Sequence, residues 1–260
     1  MKTVVRLLLL LLMLLPLAHA SDLAKEQRWA DQIADSLIDG EAVWLQAGDV
    51  RFLGIYTEAE TPTGRAALVI HGIGVHPDWT QVVYPLRTGL PARGWSTLSL
   101  QMPVLPNEAD SLEYAPLFED VAPRIDAGIA YLEEQGAEKI AIVGHSLGAA
   151  MSSYYLSGRP DGITAYVGIG MLGGAKDPRM DNLQTLRKIN IPVLDIYGQN
   201  DLVPVTSTAA ERVKSAEKAG NEAYSQVQTP QADHFYEGHE EALVETVTGW
   251  LDKTLPAASR

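Results

Sequence analysis

Hydrophobic and polar positions follow two different spacings in the first part of the chain. Between residues 21 and 40 the large apolar side chains Trp29, Ile33 and Leu37 recur every four positions, which is the spacing of one face of an amphipathic helix. The next stretch, AVWLQAGDVRFLGIYTE, alternates apolar and polar residues on both sides of a Gly-Asp pair, and this pattern is typical of two strands joined by a tight turn. The sequence therefore predicts an N-terminal helix within 21–40, followed by a β-hairpin.

Beyond the hairpin, apolar strands alternate with amphipathic helices. The predicted strands are AALVIHG, STLSLQMPV, KIAIVGHS, ITAYVGIGM, IPVLDIYG and AYSQVQT. The predicted helices cover about 79–90 and 114–136, a segment from 147, a weaker segment around 183, and then 207–219 and 240–255. Continuous apolar strands between helices indicate a parallel sheet covered on both faces. We therefore predict one α/β domain over residues 41–260, with a mostly parallel central sheet, antiparallel N-terminal edge strands and helices on both faces.

One serine lies where a predicted strand changes into a helix, in IAIVGHSLGAA. In a doubly wound sheet, sites form at the carboxyl ends of the strands, which is where Ser146 falls. A nucleophile on so sharp a turn needs small residues two positions before and after it, here Gly144 and Gly148. A serine that only caps a helix needs neither glycine. The pattern predicts a nucleophile, although the pentapeptide alone also occurs by chance.

A nucleophilic serine needs a base and a carboxylate that orients the base, and later strand ends supply both. Asp201 follows the strand IPVLDIYG, and His234 lies in the loop after AYSQVQT. The order Ser146, Asp201, His234, with each residue at its own strand end, is much less probable by chance than the pentapeptide. Two other carboxylates remain open as the acid: Asp195 lies within its strand, and Asp233 is beside the histidine but badly placed to face its ring.

The motifs GHSLG, YGQNDLVP, ADHFYEG and VIHGIG together resemble the α/β-hydrolase superfamily. The resemblance implies that Ser146 is the nucleophile, that His234 is the base and then the acid, and that Asp201 fixes the tautomer of His234. It also implies that the backbone amides of Leu147 and Ile73 form the oxyanion hole. The stretch HGIGVHPDWTQVVYPLRTGLPARGWSTLSLQMP is similar to a group of exported bacterial hydrolase-like proteins known only as a domain of unknown function.

Export is predicted by the first twenty residues. Lys2 and Arg6 precede an apolar run that ends in Ala-His-Ala, which is the layout of a signal peptide over 1–20 and favours a periplasmic or secreted protein. The alternative is an uncleaved anchor, but the unbroken apolar run is shorter than the roughly 20 residues of a membrane span. A net charge of −13 without any basic run argues against binding to nucleic acid or anionic lipid.

No cofactor or metal is indicated by the motifs. The chain has no cysteine, no pair of histidines at ligand spacing and no dinucleotide or phosphate loop. Only residues 172–191 separate two of the strands where related hydrolases insert a lid, so we expect an open site without a lid domain. An uncapped site offers little apolar burial, which favours short acyl esters.

These features predict a serine hydrolase that cleaves a small-molecule carboxylic ester or thioester. The alternatives are a peptidase or amidase, and a catalytically weak envelope interaction protein that retains the fold. The sequence does not specify an oligomeric state.

Overall fold

The computed structural model describes residues 21–158 and 161–257. The signal peptide predicted over 1–20 lies outside the described residues. The strands are β1 (Glu41–Ala47), β2 (Val50–Thr57), β3 (Arg65–Ile70), β4 (Ser96–Leu100), β5 (Lys139–His145), β6 (Ala165–Ile169), β7 (Val193–Gly198) and β8 (Tyr224–Thr229). The α-helices are α1 (Leu23–Ser36), α2 (Val83–Gly89), α3 (Val121–Glu134), α4 (Leu147–Gly158), α5 (Asn182–Thr185), α6 (Val203–Thr206), α7 (Ala209–Ala219) and α8 (Glu240–Thr254).

All of these strands join one sheet in the order β1-β2-β4-β3-β5-β6-β7-β8. β1 and β2 form the predicted antiparallel hairpin, in which Ala47 pairs with Val50 across the turn. β2 is also antiparallel to β4, whereas every later pair of neighbours is parallel. The predicted fold class, a mostly parallel sheet with antiparallel N-terminal edge strands, is therefore confirmed.

Both faces of the sheet are covered, which explains why its central strands are apolar throughout. On β3, Leu68 and Ile70 belong to the core that includes residues of α3 and α4, while Ala67 and Val69 belong to a second core that includes residues of α2 and α8. Adjacent strand residues point to opposite faces, so each face requires its own set of apolar side chains. This burial fixes the strand ends that carry the candidate site.

The N-terminal helix packs on the hairpin as its spacing predicts. The Asp22 side chain caps its first turn by accepting a backbone N–H. Ala30 and Ile33 on α1 form a separate apolar cluster with Leu53 and Ile55 on β2. The helix therefore covers one end of the sheet and lies within the predicted span 21–40.

The predicted helix over about 114–136 is wrong in its first part. The chain forms a 3₁₀ helix over Ser111–Asp120 before α3 begins at Val121. Pro116 lies inside the 3₁₀ segment, and proline has no N–H and clashes with the carbonyl four residues earlier in an α-helix. The apolar spacing continues through Pro116, so periodicity alone joined two helices of different geometry.

Candidate active site

Ser146 lies at a strained corner between β5 and α4. Its backbone φ is +55°, a conformation that costs free energy for a residue with a side chain. Its N–H donates to the carbonyl of Ile169 at 2.8 Å. A Cβ on Gly144 would lie 2.6 Å from the Gly148 carbonyl oxygen, and a Cβ on Gly148 would lie 2.3 Å from the His71 carbonyl oxygen. Both glycines are therefore required sterically by the corner that presents Ser146.

The structure brings the three sequence-predicted residues into one hydrogen-bonded chain. His234 Nε2 lies 2.9 Å from Ser146 Oγ, and His234 Nδ1 lies 2.6 Å from Asp201 Oδ1. The Leu202 N–H also donates to Asp201 Oδ1 at 2.7 Å, and the Gly198 N–H donates to Oδ2 at 3.3 Å. With Nδ1–H donated to the carboxylate, Nε2 can accept the serine proton, which is the arrangement an activated serine needs.

Two glycines that the sequence analysis missed allow a close approach of the loops that carry the hydrogen-bonded side chains. Gly170 has φ +61°, and a Cβ there would lie 2.8 Å from His234 Cε1. A Cβ on Gly198 would lie 2.3 Å from the Ala232 carbonyl oxygen, so the loops that carry Asp201 and His234 touch at backbone distance. The sequence signal was a glycine at the carboxyl end of each of two apolar strands.

The two other candidate carboxylates have different partners. Asp195 Oδ2 accepts from Arg212 Nε at 2.7 Å and from the Tyr224 hydroxyl at 2.5 Å, and both Asp195 and Arg212 are fully buried. Asp233 Oδ1 accepts the Phe235 N–H at 2.9 Å. Asp195 therefore stabilises the packing of α7 on the sheet, and Asp233 stabilises the turn after His234.

The candidate oxyanion residues lie on both sides of Ser146. Leu147 is the first residue of α4, where the free N–H groups of a helix favour negative charge. Ile73 lies in the loop after β3, directly after Gly72, whose added Cβ would lie 3.4 Å from Ser146 Cβ. The loop is thus adjacent to the nucleophile, and the role of these two amides stays a prediction.

His71 holds that loop in place. Its Nε2 accepts the Met102 N–H at 2.9 Å, and its Nδ1 lies 2.8 Å from the Gly72 carbonyl oxygen, to which it can donate. Burial lowers the pKa of His71 to about 3. The ring is therefore neutral at neutral pH and provides one donor and one acceptor, as these two contacts require.

His145 contacts the backbone of the candidate base. Its Nε2 lies 2.9 Å from the His234 carbonyl oxygen, and the two ring centroids are 4.9 Å apart. Burial, with a smaller contribution from the charge of His234, lowers the pKa of His145 to about 4. A neutral His145 can donate Nε2–H to this carbonyl, so it fixes the loop that carries His234.

The described part of the chain contains neither a cluster of metal ligands nor a helix suited to a membrane span. Across 21–158 and 161–257, no group of three or more His, Cys, Asp and Glu side chains could hold a metal ion. Within the same ranges, no helix has both the length and the apolar character needed to cross a bilayer.

The sheet order and the serine corner between β5 and α4 define the α/β-hydrolase fold. The chain is similar to XC6422 from Xanthomonas campestris, described as an α/β serine hydrolase without a lid, with a TM-score of 0.67 and 16% identity over 86% of this chain and 99% of that one. It is similar to the esterase domain of a Rhodothermus marinus protein, with a TM-score of 0.61 and 18% identity over 82% and 98%. It is also similar to dienelactone hydrolase from Anabaena variabilis, with a TM-score of 0.65 and 21% identity over 82% and 97%.

The sequence itself matches a narrower group. The family model described as a protein of unknown function, DUF3530, matches residues 7–118 and 106–253. The chain therefore belongs to the DUF3530 family. A comparison with curated proteins finds no match.

Proposed function

We propose that this protein is an exported serine hydrolase that cleaves a carboxylic ester or thioester through an acyl-enzyme intermediate on Ser146. The observation that carries the proposal is the continuous hydrogen-bonded chain from Ser146 through His234 to Asp201. These three side chains come from three separate loops, and a protein that only binds a partner has no need of this arrangement. The likeness of the fold to a serine hydrolase and to an esterase domain supports the same conclusion.

The proposed reaction uses the three hydrogen-bonded side chains together with two backbone amides. Ser146 Oγ attacks the ester carbonyl carbon while its proton passes to His234 Nε2, and Asp201 stabilises the imidazolium that forms. The amides of Leu147 and Ile73 stabilise the oxyanion. The intermediate then expels the alcohol or thiol, which takes the proton from His234. A water molecule then attacks the acyl carbon while it gives a proton to His234. The bond from the acyl carbon to Ser146 Oγ breaks, Oγ takes that proton back from His234, and the acid is released.

Labelling with a fluorophosphonate probe, followed by peptide mapping, tests the proposal without knowledge of the substrate. We expect the probe to label Ser146 in the wild type, and we expect Ser146→Ala and His234→Ala to abolish labelling. Ser36→Ala serves as the matched control, because Ser36 is an exposed residue at the end of α1 that bonds only within its own helix. Labelling that persists in Ser146→Ala would contradict the assignment.

A panel of p-nitrophenyl esters and anilides separates the esterase from the peptidase alternative. We expect faster cleavage of the esters, because p-nitrophenolate can leave without being protonated, whereas the amine of the anilide must take a proton from His234 as it departs. Faster turnover of the anilides would favour a peptidase or amidase. A wild type that is neither labelled nor active would favour an envelope interaction protein that retains the fold.

The export part of the proposal rests on residues 1–20. N-terminal sequencing of the protein from the periplasm or medium is expected to begin at Ser21. A chain that begins at Met1 in the membrane fraction would instead support the uncleaved anchor.

A further inference from the structure

Exposed apolar side chains lie directly beside the candidate site. The large hydrophobic residues next to it in the chain, with their exposed fractions, are Ile73 at 38%, Leu202 at 45%, Val203 at 75% and Phe235 at 44%. We call these four residues the apolar rim. Single exposed hydrophobic residues are normal on a protein surface, but a group beside one nucleophile needs an explanation.

The loops that carry the base and the acid hold three of the rim residues. The Phe235 ring centroid lies 5.2 Å from that of His234. Leu202 is held against the carboxylate, because its N–H donates to Asp201 Oδ1, and Val203 follows it as the first residue of α6. These three residues lie on the side of the base and the acid.

The fourth rim residue belongs to the loop after β3, which adjoins the nucleophile. Ile73 follows Gly72, and an added Cβ on Gly72 would lie 3.4 Å from Ser146 Cβ. The loops that adjoin Ser146, Asp201 and His234 therefore each carry at least one exposed apolar side chain. No lid domain covers them, since the segment between β6 and β7, which the structure describes in full, contains only α5 and a 3₁₀ turn over Leu186–Lys188.

Charge narrows the substrate class further. The rim carries no ionisable side chain, while the protein has a net charge of −13, and the loop that carries Phe235 also holds the half-buried Asp233 and the exposed Glu237. An anionic group on the substrate would lie close to these carboxylates and would be repelled. A neutral apolar group is the chemistry that fits.

On the basis of the proposed function, we infer that the substrate is an ester whose acyl or alcohol part is a neutral apolar group that lies on the apolar rim. Because the rim is open, the group stays partly exposed and gains about half of the transfer free energy of complete burial. Complete burial of a methylene would raise kcat/KM about fourfold, and half of that free energy corresponds to about twofold. We therefore expect kcat/KM to rise about twofold for each methylene added to the acyl chain. This differs from the preference for short acyl chains that an uncapped site alone predicts.

The test is a series of p-nitrophenyl esters from acetate to hexanoate, assayed below their solubility limits. We expect the wild type to favour hexanoate over acetate by about tenfold or more, as the twofold step implies. Val203→Ser is expected to lower this ratio at least threefold. Val227→Ser is the matched control, because Val227 is also an exposed valine but lies on β8, away from the strand ends, and it is expected to leave the ratio unchanged.

A second arm tests charge, with the p-nitrophenyl monoester of adipic acid compared with the hexanoate. We expect slower cleavage of the monoester, and equal or faster cleavage would overturn the inference. A flat series from acetate to hexanoate in an active wild type would overturn it while leaving the proposed function intact, and so would an equal loss in Val203→Ser and Val227→Ser. Absence of both turnover and Ser146 labelling would overturn the proposed function together with this inference.

Discussion

Replacing Asp201 by asparagine tests which carboxylate orients the candidate base. Asp201 Oδ1 accepts from both His234 Nδ1 and the Leu202 N–H. If the asparagine places its oxygen there, both bonds remain but the negative charge is lost, and a charged hydrogen bond is worth up to about 3 kcal/mol, or roughly 10²-fold in rate. If its NH₂ faces the ring, His234 takes the wrong tautomer, a change that costs about 10⁴-fold in a serine protease. We therefore expect Asp201→Asn to lower turnover by a factor between roughly 10² and 10⁴.

Asp195→Asn is the matched control, because it makes the same change in another buried aspartate. Asp195 pairs with Arg212, and both side chains have no exposed surface. Removal of the charge leaves a buried guanidinium without its partner, which costs roughly 3–5 kcal/mol of unfolding free energy. Since Asp195 does not contact the triad, we expect the folded fraction of this variant to retain its turnover.

Two measurements separate these effects: kcat for a p-nitrophenyl ester, and the free energy of unfolding from urea titration. Asp201→Asn is expected to lose kcat with little loss of stability, and Asp195→Asn is expected to show the opposite. Asp233→Asn should change neither greatly, because Asp233 is only half-buried and supports a turn. Near-wild-type kcat in Asp201→Asn, or a 100-fold loss of kcat in folded Asp195→Asn, would refute this assignment.

Three further outcomes are expected. Gly148→Ala should abolish probe labelling and lower Tm, because its Cβ would lie 2.3 Å from the His71 carbonyl oxygen. Gly249→Ala is the control: its Cβ would meet nothing within 4 Å, and the substitution should raise the free energy of unfolding by up to about 1 kcal/mol. Stability to urea should fall from pH 7 to pH 4.5. His71 and His145 have pKa values of about 3 and 4 in the folded protein, so over this range they bind protons mainly in the unfolded state, where the histidine pKa is about 6.5. An unchanged urea midpoint of unfolding would contradict this. His145→Phe should lower kcat by loosening His234, and an unchanged kcat would show that the contact is dispensable.

The strands themselves and the positions of the three candidate triad residues could be predicted because they depend on local features. A parallel sheet covered on both faces requires continuous apolar strands, and these are visible in the sequence. Once the strands are placed, Ser146, Asp201 and His234 each follow a strand end. Parallel strands bring these ends to one edge of the sheet, so the proximity of the three residues can be inferred from the sequence without a measured distance.

The features that could not be predicted depend on contacts between distant segments. The bond from His145 to the His234 backbone joins residues 89 positions apart, and no local pattern specifies it. The requirement for glycine at position 170 could not be predicted either, because it arises from contact with the His234 ring. The exposed fractions of the rim residues also depend on which neighbours fold over them. Apolar residues next to polar ones in loops give no sign of this in the sequence.

The site geometry depends on backbone contacts between loops as well as on the triad bonds. The corner at Ser146 touches the loop after β3 through Gly148, and the loop after β7 touches the loop after β8 through Gly198. These contacts involve backbone atoms, so a larger residue cannot be accommodated by a change of rotamer, and the loops themselves must move. Movement of about 1 Å at a reacting group is enough to cost roughly 100-fold in rate. Glycine at these positions is therefore needed to place the three candidate side chains accurately, although none of the glycines takes part in the chemistry.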